Sequence, residues 1–373
     1  MHRLSALTPI VSGGTLREID FAHSHGGNEM GNPKARTTIV DVAAEAGVHP
    51  STVSRVLTGH AASTIRPATR QRVLAATDRL GYRPSALARG LRLQRTLTLG
   101  MLVPDITNPF FSSIIKGAED AARQRGYNLI LCNSEDEPQR EATYLRVLRD
   151  RLVDGLLIAS SQMADDTITQ LREEAFPFVL LNRATESAED LAVVVDNHAA
   201  AVEVVSYLAA LGHRRVGHIA GPQNTTTGVD RLEGYRAGVL AHGLADEPEL
   251  VVEATAFSEE AGRRALGIML AGPARPTAVF GANDLIAIGM LQRLRQIGAP
   301  VPGDFSIVGF NDIPLAGLLE PALTTVRVPQ LEMGVAGANL LIDRLEGRPI
   351  GKVRMTLPTE LVVRASSAAP AAP

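Results

Sequence analysis

The chain has 373 residues, 45% apolar and 21% charged, a globular composition that excludes a disordered, collagenous or fibrous protein. Its single cysteine, Cys132, excludes an intrachain disulfide framework or thiolate metal cluster, and no apolar run approaches the roughly 20 residues that span a bilayer. The net charge of −3 hides an asymmetry: residues 34–95 carry 11 Lys and Arg against 3 acids, a net of +8, which leaves −11 for the remainder.

A compact basic module on an acidic body is the distribution of a polyanion-binding head. The length allows two or three domains with ample core. The N-terminus has no sustained apolar core of signal-peptide type, so the expected location is cytoplasmic, without a membrane partner. Residues 1–36 show no periodicity and are read as a disordered extension, with Met30 an alternative start close to the first patterned segment. His23 and His25 lack a third ligand and are not read as a metal site, and no cofactor is expected.

From Thr38 the pattern turns helical. Ile39, Val42, Ala43 and Ala46 recur at helical spacing, and Gly47 then supplies a residue able to take positive φ in a tight turn. Val53, Val56 and Leu57 mark the inner face of a second short helix, and a third runs from Pro67 through Val73 and Leu80 to Gly81. Residues 37–83 therefore read as a helix-turn-helix unit, followed by a short linker over 84–95.

Beyond Thr96 strands and helices alternate. Apolar runs at 96–103, 127–132, 154–159, 177–182, 191–196, 214–221, 276–281 and 305–310 are separated by helical patterns at 109–125, 138–152, 197–211, 229–243, 258–271 and 283–297. Such βα alternation predicts parallel sheets covered on both faces, and eight to ten strands are too many for one compact domain. Two sheets side by side are expected over 96–364, one subdomain from about 96–192 and 327–355, the other from 193–326 and 356–364. Residues 365–373, ending in Ala and Pro, read as a disordered tail.

TTIVDVAAEAGVHPSTVSRVLTG (37–59) resembles the DNA-binding signature of the LacI/GalR repressors, and YRPSALARGLR (82–92) resembles their hinge helix. VPDITNPFF (103–111), DGLLIA (154–159), HRRVGHIAGP (213–222), RLEGYRAG (231–238), ANDLIAIG (282–289), SIVGFNDIP (306–314) and PALTTV (321–326) follow in that family's order, so the resemblance spans about 37–364. It implies an all-α helix-turn-helix head and an α/β, periplasmic-binding-protein-like body of two flavodoxin-like subdomains. It also implies a transcriptional regulator, most simply a repressor, whose operator affinity answers to a small polar effector of sugar type.

Carried over residue by residue, the resemblance gives Pro50, Ser51 and Arg55 base-reading positions in the major groove, Arg55 being suited to guanine O6 and N7. Thr38, Thr52, Ser54 and Thr69 would hold phosphates. The linker is too short for a stable isolated helix. In the family it folds on the minor groove beside its twin, which places Ser85, Ala88 and the wedging Leu91 on DNA. Two hinges imply a homodimer on a roughly palindromic operator. His49, which the resemblance also places among the DNA-contacting residues, stands where the family commonly has a capping Ser and is a poorer cap, and the loop over 60–66 is longer than in the lac repressor.

Open α/β sheets bind ligands outside the carboxyl ends of their strands. The candidates there are Asn108, Phe110, Phe111, Asn182, Arg183, Thr227, Arg231, Asn283 and Asn311, with Phe257 matching the family's aromatic platform. Each Phe has a core reading as well. Asn311 replaces the Asp of several relatives, and an amide donates as well as accepts, so no relative's ligand can be copied. Two other classes fit less well, and a regulator of the same fold that answers to another protein instead of a small molecule is disfavoured by Phe257, Arg231 and Asn283. An enzyme is not supported by any Gly-x-Gly-x-x-Gly after a strand, Walker A or His-Glu-x-x-His motif. A solute-binding protein of periplasmic type explains the body but not the basic head.

Overall fold

The computed structural model describes residues 37–58, 65–82, 95–150, 152–351 and 353–371. The extension over 1–36 and most of the hinge, with Ser85, Ala88 and Leu91, lie outside the described residues. The chain divides into two compact units, 1–84 and 85–373.

The first unit carries α1 (Ile39–Ala46), α2 (Pro50–Thr58) and α3 (Pro67–Arg79). Thr38 starts α1 through a reciprocal capping box with Asp41, each side chain meeting the other residue's backbone N–H. Gly47 ends it at φ +61°, a left-handed conformation that costs glycine nothing. Val42, Ala43, Ala46, Val53, Val56, Val73 and Ala76 close a small core, as the helical spacing requires.

The second unit holds two six-stranded sheets. The first is built from β1 (Thr98–Val103), β2 (Asn128–Asn133), β3 (Gly155–Ile158), β4 (Phe178–Leu181), β5 (Ala192–Val195) and β11 (Arg354–Leu357), in the order β11-β5-β4-β3-β1-β2. The second is built from β6 (Val216–Ala220), β7 (Val251–Glu253), β8 (Ala278–Gly281), β9 (Ser306–Asn311), β10 (Thr324–Arg327) and β12 (Glu360–Val362), in the order β12-β10-β9-β8-β6-β7. β12 runs antiparallel to β10; every other pairing is parallel.

Helices α4 (Pro109–Gln124), α5 (Pro138–Arg149) and α6 (Asp166–Glu173) follow the early strands of the first sheet, and α11 (Gln330–Leu345) packs on it. Helices α7 (Asn197–Ala210), α8 (Thr226–Ala241), α9 (Glu259–Ala271) and α10 (Asp284–Gln296) clothe the second sheet. α4 and α11 cross at closest range where both are glycine. A Cβ on Gly117 would stand 2.1 Å from the Leu331 carbonyl oxygen, and one on Gly334 2.0 Å from that of Ile114.

The chain passes between sheets after β5, after β10 and between β11 and β12. These crossings shift the expected subdomain limits by a few residues, because β5 and β11 pair with each other to their ends. The disordered tail is a larger correction. Ser366 is fully buried: its Oγ donates to Ile307 O (2.6 Å) and accepts from Thr324 N (2.8 Å), while its carbonyl accepts from Ile307 N (2.8 Å). Ser306 Oγ accepts from Ala368 N at 3.0 Å. A segment without periodicity of its own is ordered here by backbone pairing with a finished sheet.

Candidate functional site

In the first unit α2 presents Ser51 and Arg55 exposed, with Pro50, Thr52 and Ser54 half-buried beside the inward Val53 and Val56. Thr69 is half-buried in the first turn of α3. Thr38 is exposed, and its hydroxyl both donates to Asp41 Oδ2 (2.8 Å) and accepts from Asp41 N (3.4 Å). His49 holds the cap position before α2. Its Nδ1 accepts from Ser51 N at 3.2 Å and lies 2.9 Å from Ser51 Oγ, so the imidazole does cap α2.

In the second unit, loops at the carboxyl ends of both sheets enclose a cleft of about 350 Å³. The structure brings all ten body residues singled out in the sequence to its wall. Asn108, Phe110 and Phe111 follow β1, Asn182 and Arg183 follow β4, and Thr227 and Arg231 come from α8 after β6. Phe257 follows β7, Asn283 follows β8, and Asn311 ends β9. The wall also includes Asp105, Glu135, Asp136 and Ser258, which residue-by-residue carry-over missed but the strand-end rule covers.

The two arginines differ in electrostatics. Arg183, nearly buried, donates through Nη1 to Asp136 Oδ1 at 2.8 Å and to Ser160 O at 3.3 Å, and its Cζ lies 5.6 Å from the Phe257 ring centre. Left-handed backbone at Glu135 (φ +56°) and Asp136 (φ +52°) turns that carboxylate toward it. Arg231 is fully buried with neutral partners: Nε donates to Asn197 Oδ1 (2.9 Å), Nη1 to Ala282 O (2.5 Å), and its plane lies 3.7 Å over Phe310. Burial pulls its pKa down to about 9, against the opposing charges of Asp230 and Asp284.

Asn182 (φ +65°) and Asn311 (φ +121°) each bury a side-chain oxygen that has no hydrogen-bond partner. Both residues line the one cleft from opposite sheets, and an unpartnered amide oxygen on each is an acceptor that a hydroxyl donor would satisfy. Asn283 and Asn108 are partly committed elsewhere. The Asn283 oxygen caps α10 through Ile286 N (2.8 Å), and the Asn108 oxygen caps α4 through Phe110 N (3.1 Å). Phe110 and Phe111 meet edge to face at 5.1 Å and belong to the core as well as the wall. Phe257 covers Gly221, where a Cβ would come within 2.4 Å of its ring.

Asp284 is structural. It accepts from Thr325 Oγ1 (2.5 Å) and Ile313 N (2.8 Å), tying α10 to β10 and the loop after β9, and burial pushes its carboxyl up to about 7. Gly309 leaves room for it, since a Cβ there would stand 2.3 Å from Asp284 Oδ1. Asp312 likewise serves the frame, pairing with Arg327 and Arg364. Among the described residues no helix is long and apolar enough to cross a membrane.

Known proteins share both units. The family profile "Bacterial regulatory proteins, lacI family" matches residues 38–85, and that of a periplasmic binding protein-like domain matches 205–367. The HTH-type transcriptional repressor CytR of Escherichia coli (strain K12) is 34% identical over 332 residues, covering 89% of this chain and 96% of CytR. The ribose operon repressor of Halalkalibacterium halodurans is 35% identical over 328 residues, covering 88% and 96%. A solved transcriptional regulator CelR–cellobiose complex is 35% identical with a TM-score of 0.67, covering 89% of this chain and 100% of that one. The lac repressor dimer bound to operator and an anti-inducer shares the fold at a TM-score of 0.80 and 24% identity, covering 90% and 100%. With a helix-turn-helix head, a two-sheet body and full-length relatives above 30% identity, the chain belongs to the lacI family of bacterial regulatory proteins.

Proposed function

We propose that this chain is a homodimeric, DNA-binding transcriptional repressor, not a catalyst, whose operator affinity is set by a neutral polyhydroxylated effector in the body cleft. The observation that carries the effector reading is the pairing of orphaned acceptors at Asn182 and Asn311 with the buried, carboxylate-free Arg231 around one cavity. Arg183 is already neutralised by Asp136, and Asp105 and Glu135 add negative charge to the rim, which favours hydroxyls over an anionic group. Phe257 supplies a plate for the apolar face of a sugar ring, as a site with few placed polar groups requires.

On the DNA side, α2 enters the major groove with Ser51 and Arg55 at base edges, and Thr52, Ser54 and Thr69 hold phosphates. Leu91 wedges the minor groove from the hinge. Relatives support this reading: CytR is a transcriptional repressor, and CelR is solved with cellobiose.

A thermal-shift screen of sugars, sugar acids and nucleosides on wild type and Arg231→Lys tests it. A neutral sugar or nucleoside that stabilises wild type, stabilises the variant far less and alters binding to a selected duplex is the expected result. Stabilisation only by sugar acids, or equally in both proteins, would overturn the effector assignment.

A further inference from the structure

A second cavity, of about 380 Å³, shares Asn182 with the effector cleft. The loop after β4, the crossing from β5 into α7, the edge strand β11 and the start of α8 enclose it, so both sheets contribute to its wall. Thr226 Oγ1 of α8 accepts from Ala184 N after β4 at 3.1 Å and ties those two sides together. Asn182 buries an unpartnered oxygen, and its amide makes no side-chain hydrogen bond among the described residues. Asn197 links the two spaces a second way: it lines the second cavity, and its Oδ1 accepts from Nε of the buried Arg231 of the cleft at 2.9 Å.

The charges on this wall stand in opposition. Asp230 of α8 is half-buried and Arg354 of β11 is exposed; both line the cavity, and neither makes an ion pair or side-chain hydrogen bond among the described residues. Burial raises the Asp230 carboxyl above its ordinary range, while the Arg354 charge is near enough to oppose that shift without pairing. Asp196, on the same wall, already caps α7 through Ala199 N at 2.8 Å. The uncommitted charges are thus one carboxylate and one guanidinium, facing one space from opposite sheets. A ligand with a single charge answers only one of them, whereas an ammonium and a carboxylate on one small frame answer both. We propose that this cavity is a second small-molecule site, for a zwitterion of amino-acid class, with its ammonium on Asp230, its carboxylate on Arg354 and Asn182 as a third contact. Such a ligand bridges the two sheets, and through Asn182 and the Asn197–Arg231 bond its binding is coupled to events in the effector cleft.

Full-length wild type, Asp230→Asn, Arg354→Gln and Phe257→Ala are screened by thermal shift with the twenty protein amino acids singly, and with butylamine and butyrate as single-charge controls. Affinities of the hits are then measured by calorimetric titration. The expected result is that at least one amino acid raises the wild-type midpoint saturably and neither control does. Asp230→Asn and Arg354→Gln should each bind it about tenfold more weakly or worse, with unliganded midpoints near wild type because both positions are at least partly exposed. Phe257→Ala, altered only in the effector cleft, should bind it as wild type does. No shift with any amino acid, or equal binding in the Asp230 and Arg354 variants, would overturn the site. Butylamine binding as tightly as the amino acid would overturn the zwitterion assignment. Loss of the amino acid in Phe257→Ala would move the ligand into the effector cleft and overturn the proposal as well. A sugar hit lost in Arg231→Lys, with no amino acid bound, would leave the effector reading standing while this site fails.

Discussion

Glu141 on α5 is almost entirely buried, one of its oxygens has no hydrogen-bond partner, and desolvation pushes its carboxyl up to about 7. The neighbouring charge of Asp165 adds to that shift, while Ser160 and Arg183 oppose it. Asp284 is raised to about 7 by the same cause. An acid whose folded pKa exceeds its unfolded value holds its proton longer in the native state. The stability it contributes is full below about pH 4 and is lost as pH rises to about 7. His218 works in the opposite direction. Sealed between Tyr235 and Phe280, it is held down to about 3, so its contribution is lost as pH falls below about 6.5. Glu141→Gln should therefore melt a few degrees above wild type at pH 8 and no higher than it at pH 4.5. Equal melting at pH 8 would show that Glu141 ionises at no cost. At this scale the sequence was readable where a residue sits at a strand end, as with Arg183 and Arg231, and silent where burial alone matters. Nothing in QREATYL distinguishes Glu141 from the exposed acids around it.

Strands buried on both faces announce themselves as apolar runs, as β1, β3–β6, β8 and β9 do; the half-exposed edge β2 is apolar enough to show as the eighth run, whereas the buried β10, with two threonines in four residues, does not. β7, β11 and β12 are short, partly exposed edges with mixed composition, so pattern could not reveal them. α8 starts three residues before its helical pattern because Thr225 caps it through Gly228 N. The C-terminal segment is invisible to pattern for a related reason: its order comes from its partner's backbone. Ending the chain after Arg364 would strip partners from the fully buried Ile307 N and Thr324 N, at about 1–3 kcal/mol each. That variant should melt several degrees lower than the full chain; an unchanged midpoint would return 365–373 to the status of a tail. The crossing of α4 and α11 gives a companion test. Gly334→Ala must push two helix backbones apart, whereas Gly351→Ala meets nothing within 4 Å. Loss of stability in the first and none in the second is expected by thermal melting, with a difference of at least about 1–3 kcal/mol.

The body is two sheets joined by three crossings, and the candidate ligand groups divide between them. Asn108, Asn182 and Arg183 belong to the first sheet's side; Arg231, Phe257 and Asn311 belong to the second. A small ligand that satisfies acceptors on both sides gains its full contacts only when the sides approach, so its binding energy is differential between open and closed states, as a hinge switch requires. Operator binding that prefers one of those states must then couple to the effector by a single free energy. If effector weakens duplex binding by some factor, saturating duplex must weaken effector binding by the same factor. Titrating the effector found by thermal shift into free protein and into the protein–duplex complex measures both sides. Equality within error, at about 5–150-fold, is the expected outcome. Asn182→Ala and Asn311→Ala supply the mechanistic control. Each should weaken the effector and shrink the coupling factor, because either loss removes what distinguishes the closed state. A variant that binds effector tenfold more weakly yet keeps the coupling unchanged would mean that its contact is equal in both states, and that closure is driven from elsewhere in the cleft.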